Sequence, residues 1–408
     1  MTPNTAATPD PIPLFSREMA ENPYPYYDRL RAADPVYWSE REQAWIITGF
    51  DAVVQALDDL RLSSDRAELF QQLAGDPELK PLFSFLAKRM ILADPPKHTR
   101  LRGLVSKSFT PHVVDAMRPH IQQLVEGFLG AVQNAGKIDL VRDLAFTLPA
   151  TVITEMLGLP PEDRDQIKQW SDDFVAFFST NPARVTREQY RRSLASMNAM
   201  VDYFRGKLPG IRSGARACLM QTMELAEHQG DQLTEEELFA NANLMLIAGH
   251  ETTAGLIGNG ILALLKNPDQ LQMLLADPSL MPGAVEELFR HDGPVQFTNR
   301  VAKEDASIGG KTIRKGQLVF VFLAAANRDP AHFPDPDRLD ITRKEHKHVA
   351  LGQGHHFCLG APLARLEAHI AFSTILRRLP NLRLDTDKLV YRDNFNLHSL
   401  TSLPLAFG

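Results

Sequence analysis

The chain has 408 residues, 44% hydrophobic and 23% charged, with 44 basic side chains against 50 acidic for a net charge of -6. That balance gives no case for a nucleic-acid or membrane-surface partner, and two cysteines exclude a disulfide scaffold, a zinc cluster and an iron–sulfur centre. No apolar run reaches the roughly 18 residues of a membrane span, and Met1 to Pro13, rich in Pro, Thr and Ala, lacks the apolar core of a signal peptide. These features lead us to expect a cytoplasmic protein with a flexible tail over 1–13; length alone allows two or three domains.

Taken in order, Val36–Trp38 and Trp45–Thr48 flank a charged turn and predict a hairpin. Phe50 to Leu60 predicts a short helix, while 61–90 shows no clean period and is expected to be a mobile connection. Asp94-Pro95 then predicts a helix start, with Asp94 as the cap and His98 and Arg102 one turn apart on a shared face. Two donors there suit an anionic partner; a solvated basic helix is the alternative. Arg100 and Lys107 are expected on the outer surface, and Thr110-Pro111 opens another helix. Helical patterns fill 111–230, broken at Gly136, Pro160-Pro161 and Asn181-Pro182. The basic, small-residue run 208–218 has no ready explanation, and Cys218 at its end is expected to be a helical core residue.

A capping box at Thr234 and Glu237 predicts a long helix over 235–265, ended by Asn267-Pro268. Its middle is apolar almost all round, as in a buried helix, yet contains Gly249, His250, Glu251, Thr252 and Thr253. Glycine inside a helix costs about 0.5–1 kcal/mol relative to alanine, and a buried carboxylate costs more unless paired or protonated. Such a cluster marks a functional-site candidate. Glu287 and Arg290 follow one turn apart on the next helix. Val295 to Ala302 has strand composition, Ile308–Ile313 and Lys315-Gly316 predict turns, and 326–343 predicts an irregular meander. Residues 394–407 predict two short strands around a turn.

Near the end, Gly352-Gln-Gly-His-His-Phe-Cys-Leu-Gly360 places Cys358 on a glycine-rich loop just ahead of a helix opened by Pro362. A helix N-terminus favours a thiolate, and such a thiolate is a metal ligand or a nucleophile. The loop resembles the haem-ligand signature of the cytochrome P450 haem-thiolate family. Leu351 stands where that signature usually opens with Phe. Ala248-Gly-His-Glu-Thr-Thr253 resembles the family's oxygen-binding helix, and Glu287/Arg290 its Glu-x-x-Arg pair, in family order along essentially the whole chain.

The resemblance implies a cytochrome P450 fold, mainly α with a small β-rich lobe, in one domain over 1–408, and haem b (iron protoporphyrin IX) with Cys358 as its axial ligand. It implies propionate contacts from His98, Arg102, Arg300 and His356, and room for dioxygen at Ala248 and Gly249. Proton delivery falls to Glu251 and Thr252, a structural clamp to Glu287 and Arg290, and His250 is expected on the outer face. Leu244, Ala248, Val295, Phe297 and Leu400 would face substrate, with the turn near His398 to Leu400 dipping into the pocket. The implied activity is monooxygenation of a small apolar substrate: a polyketide or macrolide, a terpenoid, or a fatty acyl chain, free or carrier-bound. The chain shows no flavin or iron–sulfur motif, so a ferredoxin-type donor and its reductase are expected, docking around Arg100, Lys107 and Arg365 on a monomer. Two alternatives are a peroxide-dependent peroxygenase and a non-catalytic haem-binding module; the Glu251-Thr252 pair speaks against the first, the intact Cys358 and Glu287/Arg290 against the second.

Overall fold

The structure is a computed structural model that describes residues 14–177, 185–214, 218–227, 230–344 and 347–408. The expected break at Asn181-Pro182 and residues 215–217 of the basic run lie outside the described residues.

Five helices frame the centre of the molecule: α1 Lys97–Val105, α2 Thr147–Met156, α3 Glu235–Lys266, α4 Met281–Asp292 and α5 Ala361–Arg378. α3 is the axis. Its 32 residues begin at the expected capping box, where the Thr234 hydroxyl accepts from Glu237 N–H and the Glu237 carboxylate accepts from Thr234 N–H. It ends at Asn267, spanning roughly 48 Å. Helices α2, α4 and α5 pack on it, and one large apolar cluster runs through all four. Close approach is bought with glycine: a Cβ at Gly260 would stand 2.5 Å from the Phe372 ring of α5. Among the described residues no helix is long and apolar enough to cross a membrane.

The β-rich lobe is a five-stranded sheet in the order β1-β2-β5-β4-β3, where β1 is Val36–Ser39, β2 Ala44–Ile47, β3 Leu62–Ser63, β4 Thr298–Ala302 and β5 Leu318–Val321. The expected hairpin is β1–β2, with Trp38 opposite Trp45 and their rings edge-on at 5.5 Å. β2 and β5 run parallel, while the other neighbours are antiparallel.

Several expectations need correction. Segment 61–90 is ordered into β3 and the helices Ala67–Ala74 and Lys80–Leu86, short pieces held by packing of Phe70, Leu82, Phe83 and Leu86 in the main core. Asp94 does not cap α1: its carboxylate accepts from Ser63 Oγ at 2.6 Å and Ser64 N–H at 2.9 Å, tying β3 to the helix approach. Cys218 is not helical; it is the extended residue before the Leu219–Leu225 helix. It crowds Gly158, whose φ of +81° no ordinary side chain favours. The two expected C-terminal strands are present and join different sheets. Leu400–Ser402 joins Val390–Tyr391, and Pro404–Ala406 lies between Lys137–Asp139 and Arg383–Leu384.

Candidate haem-thiolate site

One cavity collects most of the residues singled out in the sequence. Cys358 lines it from the loop ahead of α5, and Ala248, Gly249 and Thr252 line it from the middle of α3. His98 and Arg102 of α1, Arg300 of β4 and His356 complete the set.

The loop geometry follows from its glycines. Gly352 (φ +73°) and Gly354 (φ +64°) turn the backbone so that Cys358 N–H donates to the Leu351 carbonyl at 2.8 Å. Leu351 lines the same cavity. Burial raises the Cys358 thiol pKa, against the Gly360 and Ala361 N–H groups and the Arg102 and Arg365 guanidiniums that lower it. The helix-start effect expected from sequence is present but outweighed. A metal cation reverses that balance, since a coordinated thiol is deprotonated outright.

On α3, Thr252 Oγ1 donates to the Ala248 carbonyl at 2.8 Å, an i−4 bond that turns its hydroxyl along the helix. Gly249 has a packing reason as well: a Cβ there would lie 2.9 Å from Ile153 of α2. Glu251 does not line the cavity. It is 3% exposed, and its Oε2 accepts from Arg392 Nη1 at 2.7 Å. Burial raises its pKa, but His250, Arg392 and Lys168 more than reverse this and hold it at about 2. His250 is not on the outer face either. It is buried, with Nδ1 2.6 Å from the Leu246 carbonyl and its ring edge-on to Phe146.

The opposite wall is lined with nitrogen, from the Arg102 and Arg300 guanidiniums and the His98 and His356 imidazoles. The His98 and His356 rings are 4.3 Å apart, and Arg102 Nη1 donates to the His355 carbonyl at 3.2 Å. Arg300 Nη1 bonds only Thr298 Oγ1 and the Asn299 carbonyl, and His98 Nδ1 has no partner among the described residues. Burial, Arg102 and His355 lower His98 to about 4; burial, Arg300, His98, Arg66 and Arg102 lower His356 to about 2. Arg66 was missed in the sequence because a lone arginine in an aperiodic segment carries no pattern. It is buried, its Nε is unpartnered, and burial lowers it to about 9. A thiol at one side, apolar walls, and a bank of buried nitrogens lacking an anion fit a haem with its two carboxylates. Glu367 is the one carboxyl among the cavity's lining residues.

Of the expected substrate contacts, Leu244, Ala248 and Val295 line the cavity, but Phe297 and Leu400 do not. Phe297 turns away into an aromatic cluster with Phe15, Phe320 and Phe322, at ring distances of 5.2–5.7 Å. Thr298 and Arg300 take the cavity face of β4, as strand alternation dictates. Leu400 is 2% exposed in the main core, and His398 is held by the Ala20 carbonyl at 3.0 Å, so that turn does not dip into the pocket. Met90, Ile91, Ile153 and Met245 supply apolar wall that sequence reasoning missed, since an apolar residue in an apolar helix carries no site signal.

Beyond the cavity, Glu287 and Arg290 form a bidentate pair at 2.7 and 2.8 Å, fully buried. Arg290 also donates to the Asn327, Pro336 and Arg338 carbonyls, and Glu287 accepts from Asp340 N–H and Arg343. The irregular 326–343 segment, which has no ladder, thereby satisfies its backbone. The expected docking cations are already engaged. Arg100 pairs with Glu237 and Asp231, Lys107 Nζ donates to the Glu227 carbonyl at 2.6 Å, and Arg365 forks onto Glu286 at 2.6 and 2.8 Å.

Known proteins agree with this geometry. The family model for cytochrome P450 matches residues 61–400. The chain is 40% identical to cytochrome P450 monooxygenase PikC of Streptomyces venezuelae, over 98% of this chain and 95% of that one. It is 41% identical to a vitamin D(3) 25-hydroxylase of Pseudonocardia autotrophica, over 97% and 96%. The crystal structure of P450BioI in complex with hexadec-9Z-enoic acid ligated acyl carrier protein superposes with a TM-score of 0.89 at 37% identity, covering 96% of this chain and all of that one. The fold, the Cys358 loop and the relatives converge: this chain belongs to the cytochrome P450 family, and it is an oxidoreductase of the monooxygenase type.

Proposed function

We propose that the chain oxidises a small apolar organic substrate of the macrolide or polyketide, terpenoid or fatty-acyl class, using haem b held by Cys358. The observation that carries this reading is the meeting of the Cys358 thiol, the Thr252 hydroxyl and the bank of arginine and histidine nitrogens in one cavity. His98, Arg102, Arg300 and His356 would hold the two propionates, with Arg66 reinforcing them from behind. Bound haem supplies reductive activation of dioxygen, with thiolate donation favouring O–O cleavage.

The chain's own residues do the rest. Leu244, Ala248 and Val295 hold the substrate against the apolar wall and exclude water. Thr252 Oγ1, which donates to the Ala248 carbonyl at rest, receives a proton at the cavity wall and passes one on. Glu251, on the far side of α3, supplies that proton from the solvent side. Because His250 and Arg392 hold it as a carboxylate, it takes up a proton only when those contacts open. Glu287 and Arg290 keep the meander in place beneath the Cys358 loop.

Electrons come from a separate ferredoxin-type donor and its reductase, to a cytoplasmic monomer. Arg100, Lys107 and Arg365 all have partners within the chain, so a donor docking on this face meets paired cations, and none of the three stands out as its centre. The breadth of substrates named for the relatives, from a vitamin D(3) hydroxylase to an acyl-carrier complex, supports an apolar substrate without choosing its class.

Optical titration of the purified ferric protein tests the reading. A thiolate-haem spectrum is expected, shifting toward the high-spin form when an apolar compound binds. A spectrum without thiolate ligation sinks the proposal from Cys358 outward.

A further inference from the structure

His250 helps to hold Glu251 as a carboxylate, yet a buried imidazole in the middle of α3 can do more than that. It is 1% exposed, and its two ring nitrogens face different kinds of atom. Nδ1 is 2.6 Å from the Leu246 carbonyl, which can only accept, so Nδ1 carries a hydrogen. Nε2 is 3.2 Å from Glu251 Oε1, at an angle outside hydrogen-bond geometry, and neither atom has another partner among the described residues. With Nδ1 as the donor, a neutral ring would turn a lone pair at Nε2 toward a carboxylate oxygen in a dry interior. Two buried acceptors facing each other leave both unsatisfied. One proton between them satisfies both.

The surroundings decide on which atom that proton rests. Glu251 Oε2 accepts from Arg392 Nη1 at 2.7 Å, and the carboxyl is held at about 2, so the proton belongs on Nε2. Phe146 covers the imidazole edge-on at 5.3 Å, and Lys168 Nζ lies 5.0 Å from the Phe146 ring centroid. Lys168 and Arg392 both reach Asp172, at 2.6 and 3.9 Å, and Asp172 is exposed. Glu251 therefore links the covered ring to a cluster that meets water. Monooxygenation consumes two protons for each dioxygen, and a single carboxyl carries one.

We infer that His250 is a positioning residue for proton delivery: its Nε2 stores the proton that Glu251 Oε1 takes up and passes toward Thr252. When Arg392 leaves Oε2, the carboxylate loses the guanidinium that kept it ionised. The N–H bond at Nε2 then breaks as an O–H bond forms at Oε1. Imidazole and carboxyl are now both neutral, so no ion pair holds the Glu251 side chain back from the cavity. The ring is reloaded through the same carboxylate, with a proton from water at the Arg392 and Asp172 side. No oxidant or reductant takes part in these steps, and charge is conserved in each. This rests on the reading of Glu251 as the proton source, which it deepens.

The test uses the haem-loaded protein. Nitrogen NMR of the histidine-labelled, reduced and carbon monoxide-bound form, with His250 assigned by the signals lost in His250→Gln, should show hydrogen on both ring nitrogens near neutral pH. A bare Nε2 overturns the inference. Dioxygen consumption, driven by a surrogate ferredoxin and its reductase, is then followed in light and heavy water. Glu251→Gln should slow it by about 100-fold, as for a lost general acid, and His250→Gln by about tenfold with a larger solvent isotope effect. Glutamine offers an amide N–H in place of Nε2, so a merely structural His250 would be replaced without that loss. In the Glu251→Gln background, His250→Gln should add nothing, because the two act in one path. A wild-type rate in His250→Gln, or a loss that adds to that of Glu251→Gln, overturns the inference. If His250→Gln does not fold, His250→Asn assigns the signals and the wild-type Nε2 decides. A slow Glu251→Gln beside an unimpaired His250→Gln refutes the role of His250 alone; Glu251→Gln at the wild-type rate refutes Glu251 as the proton source.

Discussion

The Glu287–Arg290 cluster and the His98–Arg102–Arg300–His356 cluster are both buried and both built on arginine, yet they treat charge in opposite ways. Around Arg290, the guanidinium donors meet the Glu287 carboxylate or a meander carbonyl, and the carboxylate accepts from Asp340 N–H and Arg343 in return. Around Arg300 no carboxylate answers the guanidinium, and burial with neighbouring arginine charge pushes His98 and His356 well below the usual histidine range, so both imidazoles stay neutral. A closed, mutually satisfied network fixes a segment of backbone. An open bank of like charge is tolerable only where an anion completes it. The contrast separates scaffold from site without reference to any ligand.

That distinction can be broken in order of expected effect. Glu287→Ala leaves Arg290 buried without its counter-ion and should cost about 3–5 kcal/mol, read as a lower denaturant midpoint and little recoverable haem protein. Arg300→Met removes a charge that had no partner to lose, so the haem-free chain should unfold at a similar denaturant concentration. Its haem affinity should nevertheless fall by about 1.5–3 kcal/mol, measured as faster transfer of haem to an acceptor globin. If Arg300→Met instead destabilises the haem-free chain as Glu287→Ala does, the two clusters are not different in kind. Thr252→Ala touches neither cluster and should leave the thiolate spectrum intact, while product per reductant consumed falls by about 100-fold. Full coupling in that variant would remove Thr252 from proton delivery.

How legible these features were in the sequence depended on whether local chemistry had the last word. α3 could be placed to within a residue because its capping box, apolar body and Asn267-Pro268 stop all lie within its own span. That Cys358 and Thr252 belong to one site was legible from motif, and both line the cavity. Asp94 was misplaced because an N-cap is a local preference, and the hydroxyl and amide of Ser63 and Ser64, distant in sequence, compete for the same carboxylate. Phe297 was misplaced for a similar reason. An aromatic residue at the start of a strand suits either face, and here Phe15, from the start of the chain, draws it away from the cavity. The surroundings of Glu251 were not legible, since its ion-pair partner Arg392 lies 141 residues away in sequence. The thiol's raised pKa was illegible altogether, since burial is a property of the assembled fold.

Glu251 and Glu367 sharpen the contrast between satisfied and unsatisfied charge within a single residue type, and they make opposite predictions with pH. Glu251 is held at about 2 by its cations despite burial, so its contribution is complete above the unfolded value of 4.5 and is lost as pH falls toward 2. Glu367, on α5, is 1% exposed with neither oxygen at hydrogen-bonding geometry to a partner among the described residues. Burial pushes it up to about 8, and nearby Thr253 offsets this only in part. It is therefore protonated in the fold and ionised in the unfolded chain between pH 4.5 and about 8. Across that window the folded state binds the extra proton, so stability should fall as pH rises, by on the order of 1 kcal/mol per pH unit. Glu367→Gln keeps the shape without the titration and should flatten that limb in unfolding midpoints measured across the window. An unchanged slope in the variant would mean that Glu367 finds a partner in the working enzyme and belongs with the satisfied groups.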